Sequence, residues 1–113
     1  MSSPALERDL VSECHRSAEA MGAMLAVVGQ YRAQRSGTTR GFPDMVLLCC
    51  GQVRFIETKR PKTPENPHGY LSLAQSAFIA AALEQGVTVH VIDNVRDFEA
   101  LVNDCRRPRG VRY

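Results

Sequence analysis

Leu6, Leu10, Cys14, Ala18 and Met21 recur at the three-and-four spacing of one helix face. Ser2-Ser3-Pro4 ahead of them supplies a hydroxyl cap and a first-turn proline, and Glu7 sits near the positive end of the helix dipole. Gly22 is a natural stop. Met24-Leu25-Ala26-Val27-Val28 is a short apolar run that predicts a buried strand, whereas Gly29 to Gly41 is polar, basic and aperiodic and predicts a loop. A second apolar run covers Met45 to Cys50, Gly51-Gln52 marks a turn, and Val53 to Lys59 alternates as a paired strand. These two segments predict an antiparallel hairpin. Pro61, Pro64 and Pro67, with Asn66 and Gly69, predict an irregular loop. A helix from Ser72 to about Gln85 is closed by Gly86, and a strand follows over Val87 to Ile92. Asp93-Asn94 makes a turn and cap for a last helix from Val95 to about Cys105, with Phe98, Leu101 and Val102 facing inward. The order αβββαβα predicts an α/β fold: a small mixed sheet flanked by helices, without internal repeat or linker.

Composition agrees with that reading. The chain has 113 residues, 44% of them hydrophobic, which suits one globular domain able to bury roughly two-thirds of its unfolded surface. We expect that domain to span residues 1–105, with 106–113 as a basic C-terminal tail. No window approaches the ~18 apolar residues of a membrane span. Glu7, Arg8, Asp9, Glu13, Arg16 and Glu19 leave no apolar signal-peptide core near the start. The expectation is a soluble, cytoplasmic chain without a membrane partner. Cys14, Cys49, Cys50 and Cys105 lack CxxC spacing, so they read as small buried hydrophobes in a reducing compartment rather than a zinc site. His15, His68 and His90 are scattered without ligand spacing.

The net charge of +2 hides an uneven distribution. Residues 1–29 hold two basic and four acidic side chains, and residues 63–104 hold one and six. Residues 30–62 hold seven basic side chains (Arg32, Arg35, Arg40, Arg54, Lys59, Arg60, Lys62) against Asp44 and Glu57 alone, and the tail adds four arginines. Such a basic segment suits phosphate contacts, with Arg32, Arg35 and Arg40 as clamps just ahead of Asp44 and with Arg60 and Lys62 beyond Lys59. The loop from Pro61 to Tyr70 reads either as a substrate-facing flap, Tyr70 stacking on a base, or as a proline-stiffened connection.

The two isolated acids carry the candidate chemistry. With Cys50-Gly51 as a two-residue turn, Cys49 opposes Gln52 and, counting back, Asp44 opposes Glu57; a slip of one residue makes them diagonal. Glu57 and Lys59 share a strand face. Carboxylates held that close call for a cation, and Mg²⁺ takes oxygen donors such as Asp44, Glu57 and the Thr58 carbonyl. Lys59 would then hold or deprotonate an attacking water and stabilise charge on a phosphate. The bland alternative is a Lys59 salt bridge to either acid.

Gly41-Phe42-Pro43-Asp44 and the following Met-Val-Leu-Leu strand, Phe55-Ile56-Glu57-Thr58-Lys59, Leu71-Ser72-Leu73-Ala74-Gln75 and Gly86-Val87-Thr88-Val89 together resemble the VRR-NUC domain. This is a branch of the PD-(D/E)xK nuclease superfamily, and the resemblance covers about residues 5–100. It implies a restriction-endonuclease-like αβββαβα core and a DNA endonuclease dependent on Mg²⁺ or Mn²⁺, with Asp44, Glu57 and Lys59 as its catalytic centre. The family's helix-borne glutamate matches Glu7, with Glu13 a lesser match, and its motif glutamine falls on Gln75. Each has a second reading, since Glu7 suits a helix dipole and Ser72-x-x-Gln75 is also a capping box. The middle residue of the usual Glu-Val-Lys is Thr58 here, where the carbonyl is the group used. Small stand-alone members look like viral enzymes that dimerise and cut branched DNA, which implies a homodimer acting like a Holliday-junction resolvase. The alternatives are a nickase or flap-type nuclease, or a module that binds branched nucleic acid without cutting.

Overall fold

The computed structural model describes residues 3–28, 39–59, 64 and 71–107. In chain order these form α1 (Ser3–Ala20), β1 (Met24–Val27), β2 (Met45–Cys49), β3 (Gln52–Thr58), α2 (Leu73–Glu84), β4 (Val89–Ile92) and α3 (Val95–Arg106). The four strands make one mixed sheet in the order β1-β2-β3-β4, antiparallel except for the parallel pair β3–β4. Parallel pairing there follows from topology: α2 forms the crossover that returns the chain to the same end of the sheet.

The hairpin between β2 and β3 fixes the register of everything beyond it. Its turn is Cys50-Gly51, not Gly51-Gln52, because Gln52 already pairs with Cys49. Both turn residues have positive φ, 54° and 77°, the backbone of a two-residue turn matched to strand twist. Counting from that turn, Leu47 faces Arg54 and Met45 faces Ile56. Met45, Leu47, Cys49 and Ile56 therefore share the face that α1 and α3 cover, joined there by Leu10, Cys14, Ala18, Phe98, Val102 and Cys105. The helix face read from the sequence is thus the buried face of α1 at Leu10, Cys14 and Ala18. Burial, aided by the charges of Glu13, Asp44 and Glu99, pushes the Cys14 thiol up to about 12, which leaves it an inert core group.

Polar bonds fasten α3 to the same face. Arg54 Nη2 donates to Asp104 at 2.9 Å and to Gln52 at 2.7 Å, and Gln52 Nε2 donates to the Cys105 carbonyl. His90, half-buried on β4, has its pKa lowered by desolvation and then by the Arg54 charge.

Two further expectations are corrected. The Met24–Val28 run forms an edge strand rather than a buried one: Met24 is 66% exposed, and only Leu25 in β1 is buried. The reason is tertiary. Met24 lines up with Leu48 and Val53 on the sheet face opposite α1 and α3, and all three are exposed. Val87 and Thr88 lie outside β4, because the Val87 N–H bonds the Ala82 carbonyl and completes the end of α2.

Candidate active site

The site forms where β2 begins and β3 ends. Continuing the β2–β3 register one step beyond Met45–Ile56 brings Asp44 opposite Glu57, the arrangement that a Cys50-Gly51 turn requires. Asp44 is anchored from behind, since its carbonyl accepts the Val28 N–H at 2.8 Å. Among the described residues the polar side chains that are buried are Asp44 (4% exposed), Glu57 (1%) and Thr58 (4%), and all three are here. Carboxylates are almost never buried without compensating partners, so two of them side by side make this the candidate functional centre.

Neutral donors orient each acid. The Thr58 N–H donates to Asp44 Oδ1 at 3.2 Å, and the Thr58 hydroxyl donates to Asp44 Oδ2. One residue therefore engages both oxygens of Asp44. Reading Thr58 only for its carbonyl missed this hydroxyl; the signal was available in its departure from the usual valine. Gln75 serves Glu57 similarly, its Nε2 donating to Glu57 Oε2. At the same time Gln75 Oε1 accepts the Ser72 N–H at 2.8 Å, and the Gln75 N–H donates to Ser72 Oγ at 3.1 Å. The two readings of Gln75 are thus compatible: the carbonyl end of its amide caps α2 while the nitrogen end holds Glu57. An amide can do both because it carries an acceptor and two donors.

The Gly41-Phe42-Pro43-Asp44 segment locks α2 to the site, a role its sequence did not disclose. The Phe42 ring stands edge-on to Phe55 of β3 and to Phe78 of α2, with centroids 6.0 and 5.4 Å away. Gly41 has φ +78°, and a Cβ there would lie 2.1 Å from the Ala74 carbonyl oxygen. Only glycine allows this approach of loop to helix. Gly41→Ala is expected to lower the melting temperature by about 8 °C or more, since the left-handed backbone alone costs an alanine ~1–2 kcal/mol and the clash adds to it. A calorimetric scan checks this, and an unchanged transition would refute the close packing.

Lys59 follows β3. Its N–H donates to the Ile92 carbonyl at 2.9 Å, so the extended backbone continues alongside β4 and alternation keeps Lys59 on the Glu57 face. Its side chain is half-buried. Arg40 is exposed immediately before the motif. Glu7 belongs to α1, ahead of the stretch of that helix whose side chains are described. Arg32, Arg35, Arg60, Lys62 and Tyr70 lie outside the described residues. Among the described residues no group of three or more His, Cys, Asp and Glu gathers around one point, and no helix is long and apolar enough to cross a membrane.

Three helices and a four-stranded mixed sheet in the chain order αβββαβα make this an α/β fold, with paired acids where β2 starts and β3 ends. A solved structure described as a "VRR_NUC domain" superposes over 86% of this chain and 94% of its own length, with a TM-score of 0.62 and 19% sequence identity. The chain therefore has a VRR-NUC-like fold. No family model matches the sequence, and no curated protein matches it.

Proposed function

We propose that this protein is a metal-dependent DNA endonuclease that hydrolyses phosphodiester bonds, preferring branched DNA and acting on four-way junctions as a homodimer. The observation that carries the reading is the pair of buried carboxylates, Asp44 and Glu57, on facing strand ends with Lys59 next on the same face. The VRR-NUC-like fold supports it.

The donor set fits a hard divalent cation: two carboxylates and the Thr58 carbonyl are all oxygen ligands, with Glu7 of α1 a further carboxylate. Bound there, Mg²⁺ or Mn²⁺ supplies Lewis acidity and charge neutralisation at the phosphate. The chain's own residues do the remainder. Thr58 holds Asp44 and Gln75 holds Glu57, so both acids are oriented before substrate arrives. Lys59 holds the attacking water and stabilises the negative charge that grows on the phosphate oxygens. Arg40, with Arg32, Arg35, Arg60 and Lys62, contacts phosphates, and Tyr70 stacks on a base. In a two-fold homodimer the two sites would match the near symmetry of a four-way junction.

The test compares labelled junction, flap, nicked and linear duplexes with Mg²⁺, Mn²⁺ or EDTA, alongside sedimentation of the free protein. The expected result is a dimer that cuts junctions only with metal. Junction binding that persists with no metal-dependent cutting would overturn the proposal in favour of a binding module, and a cutting monomer would point to a nickase or flap-type nuclease.

A further inference from the structure

We infer that Cys49 and Cys50 form a dithiol site that closes on a single three-coordinate thiophilic centre, of which a trivalent arsenical is the representative. Their sulfurs lie 3.6 Å apart. Both cysteines are free. Cys50 is exposed and held at φ 54° as the first residue of the hairpin turn, while Cys49 ends β2 at 8% exposure.

The separation decides what the pair suits. An atom bonded to both thiolates at about 2.3 Å would subtend roughly 100° across 3.6 Å, an ordinary angle for a pyramidal or tetrahedral centre. A disulfide would instead need the sulfurs to close to about 2.05 Å, between Cα atoms only about 3.8 Å apart, shorter than disulfides favour. A bridging atom therefore fits the turn as it stands. The number of ligands narrows the choice further. Among the described residues no group of three or more His, Cys, Asp and Glu gathers as a metal set, so a four-coordinate zinc ion would lack half its ligands. A monosubstituted arsenoxide needs only the two thiols: two S–H bonds and the As=O bond are lost, two As–S bonds form, one water leaves, and no electrons are transferred.

The exposed Cys50 would react first and Cys49 would close the ring, since burial and the contact with Cys50 raise the Cys49 pKa. The turn lies about five strand residues, roughly 17 Å, from Asp44 and Glu57, so this site is independent of the proposed nuclease centre.

Phenylarsine oxide added at one equivalent to the full chain, followed by intact-mass measurement and peptide mapping, tests the inference. The expected product is one adduct per chain with loss of one water, blocking Cys49 and Cys50 from alkylation. It should resist excess monothiol and be reversed by a dithiol such as dimercaptopropanol. Cys50→Ser should abolish the monothiol-resistant adduct and Cys105→Ser should leave it, with circular dichroism confirming that both variants fold. No adduct, a monothiol-resistant adduct that survives in Cys50→Ser, or a bridge from Cys49 to Cys105 would each overturn it.

Discussion

Lys59→Ala should cut junction DNA at least about a thousandfold more slowly than the unmodified chain while binding it within about threefold, because a charge placed on a developing oxyanion is worth about 10²–10³ in rate and a positioned proton-transfer group a similar factor. Binding is spared for a different reason. Lys59 is one of seven basic side chains between residues 30 and 62, and affinity for a polyanion is the sum of many such contacts. The fold should also be spared, since the contact that Lys59 makes with β4 is through its backbone N–H and survives truncation. Single-turnover cleavage at saturating protein, paired with gel shifts in EDTA, separates the two effects. A Lys59→Ala chain that cuts at close to the normal rate would remove this residue from the mechanism.

The second large effect is expected at Asp44. Asp44→Asn should weaken Mg²⁺ binding by at least about tenfold in titration calorimetry and reduce cutting to the background, as loss of a ligand exceeds the 10–100-fold cost of disturbing ligand supports. The substitution preserves volume, so no cavity confuses the result. It does change hydrogen bonding: the Thr58 N–H and hydroxyl both donate to Asp44, one to each oxygen. An asparagine accepts the Thr58 N–H at Oδ1, and the Thr58 hydroxyl, which accepts as well as donates, can take the Nδ2 donor. Asp44→Asn therefore removes the charge while keeping the side chain held. Unchanged metal affinity in this variant would mean that the acids serve the sheet and not a cation.

Much of the fold was legible because its determinants are local. Leu10, Cys14 and Ala18 repeat at helical spacing, Gly51 tolerates the positive φ of a tight turn, and Ser72-Leu73-Ala74-Gln75 caps a helix through its own side chains. Where the reading erred, the missing information was non-local. Nothing within Met24–Val27 distinguishes an edge strand from a central one; that depends on which neighbours arrive on each side. The end of α2 likewise took Val87 from the adjoining strand through one bond to Ala82.

The candidate site divides along the same line. The acids and the lysine were legible in the chain, and hairpin counting tied the opposition of Asp44 to Glu57 to one condition, a Cys50-Gly51 turn, which the strand pairing meets. What surrounds them came from contacts between distant segments. The burial of both acids, the bond from Gln75 across to Glu57, the Thr58 hydroxyl on Asp44 and the seat of Gly41 against Ala74 join segments up to 33 residues apart. Such contacts depend on how the helix and loop pack against the sheet, and packing is a property of surfaces that meet in space rather than of spacing along the chain.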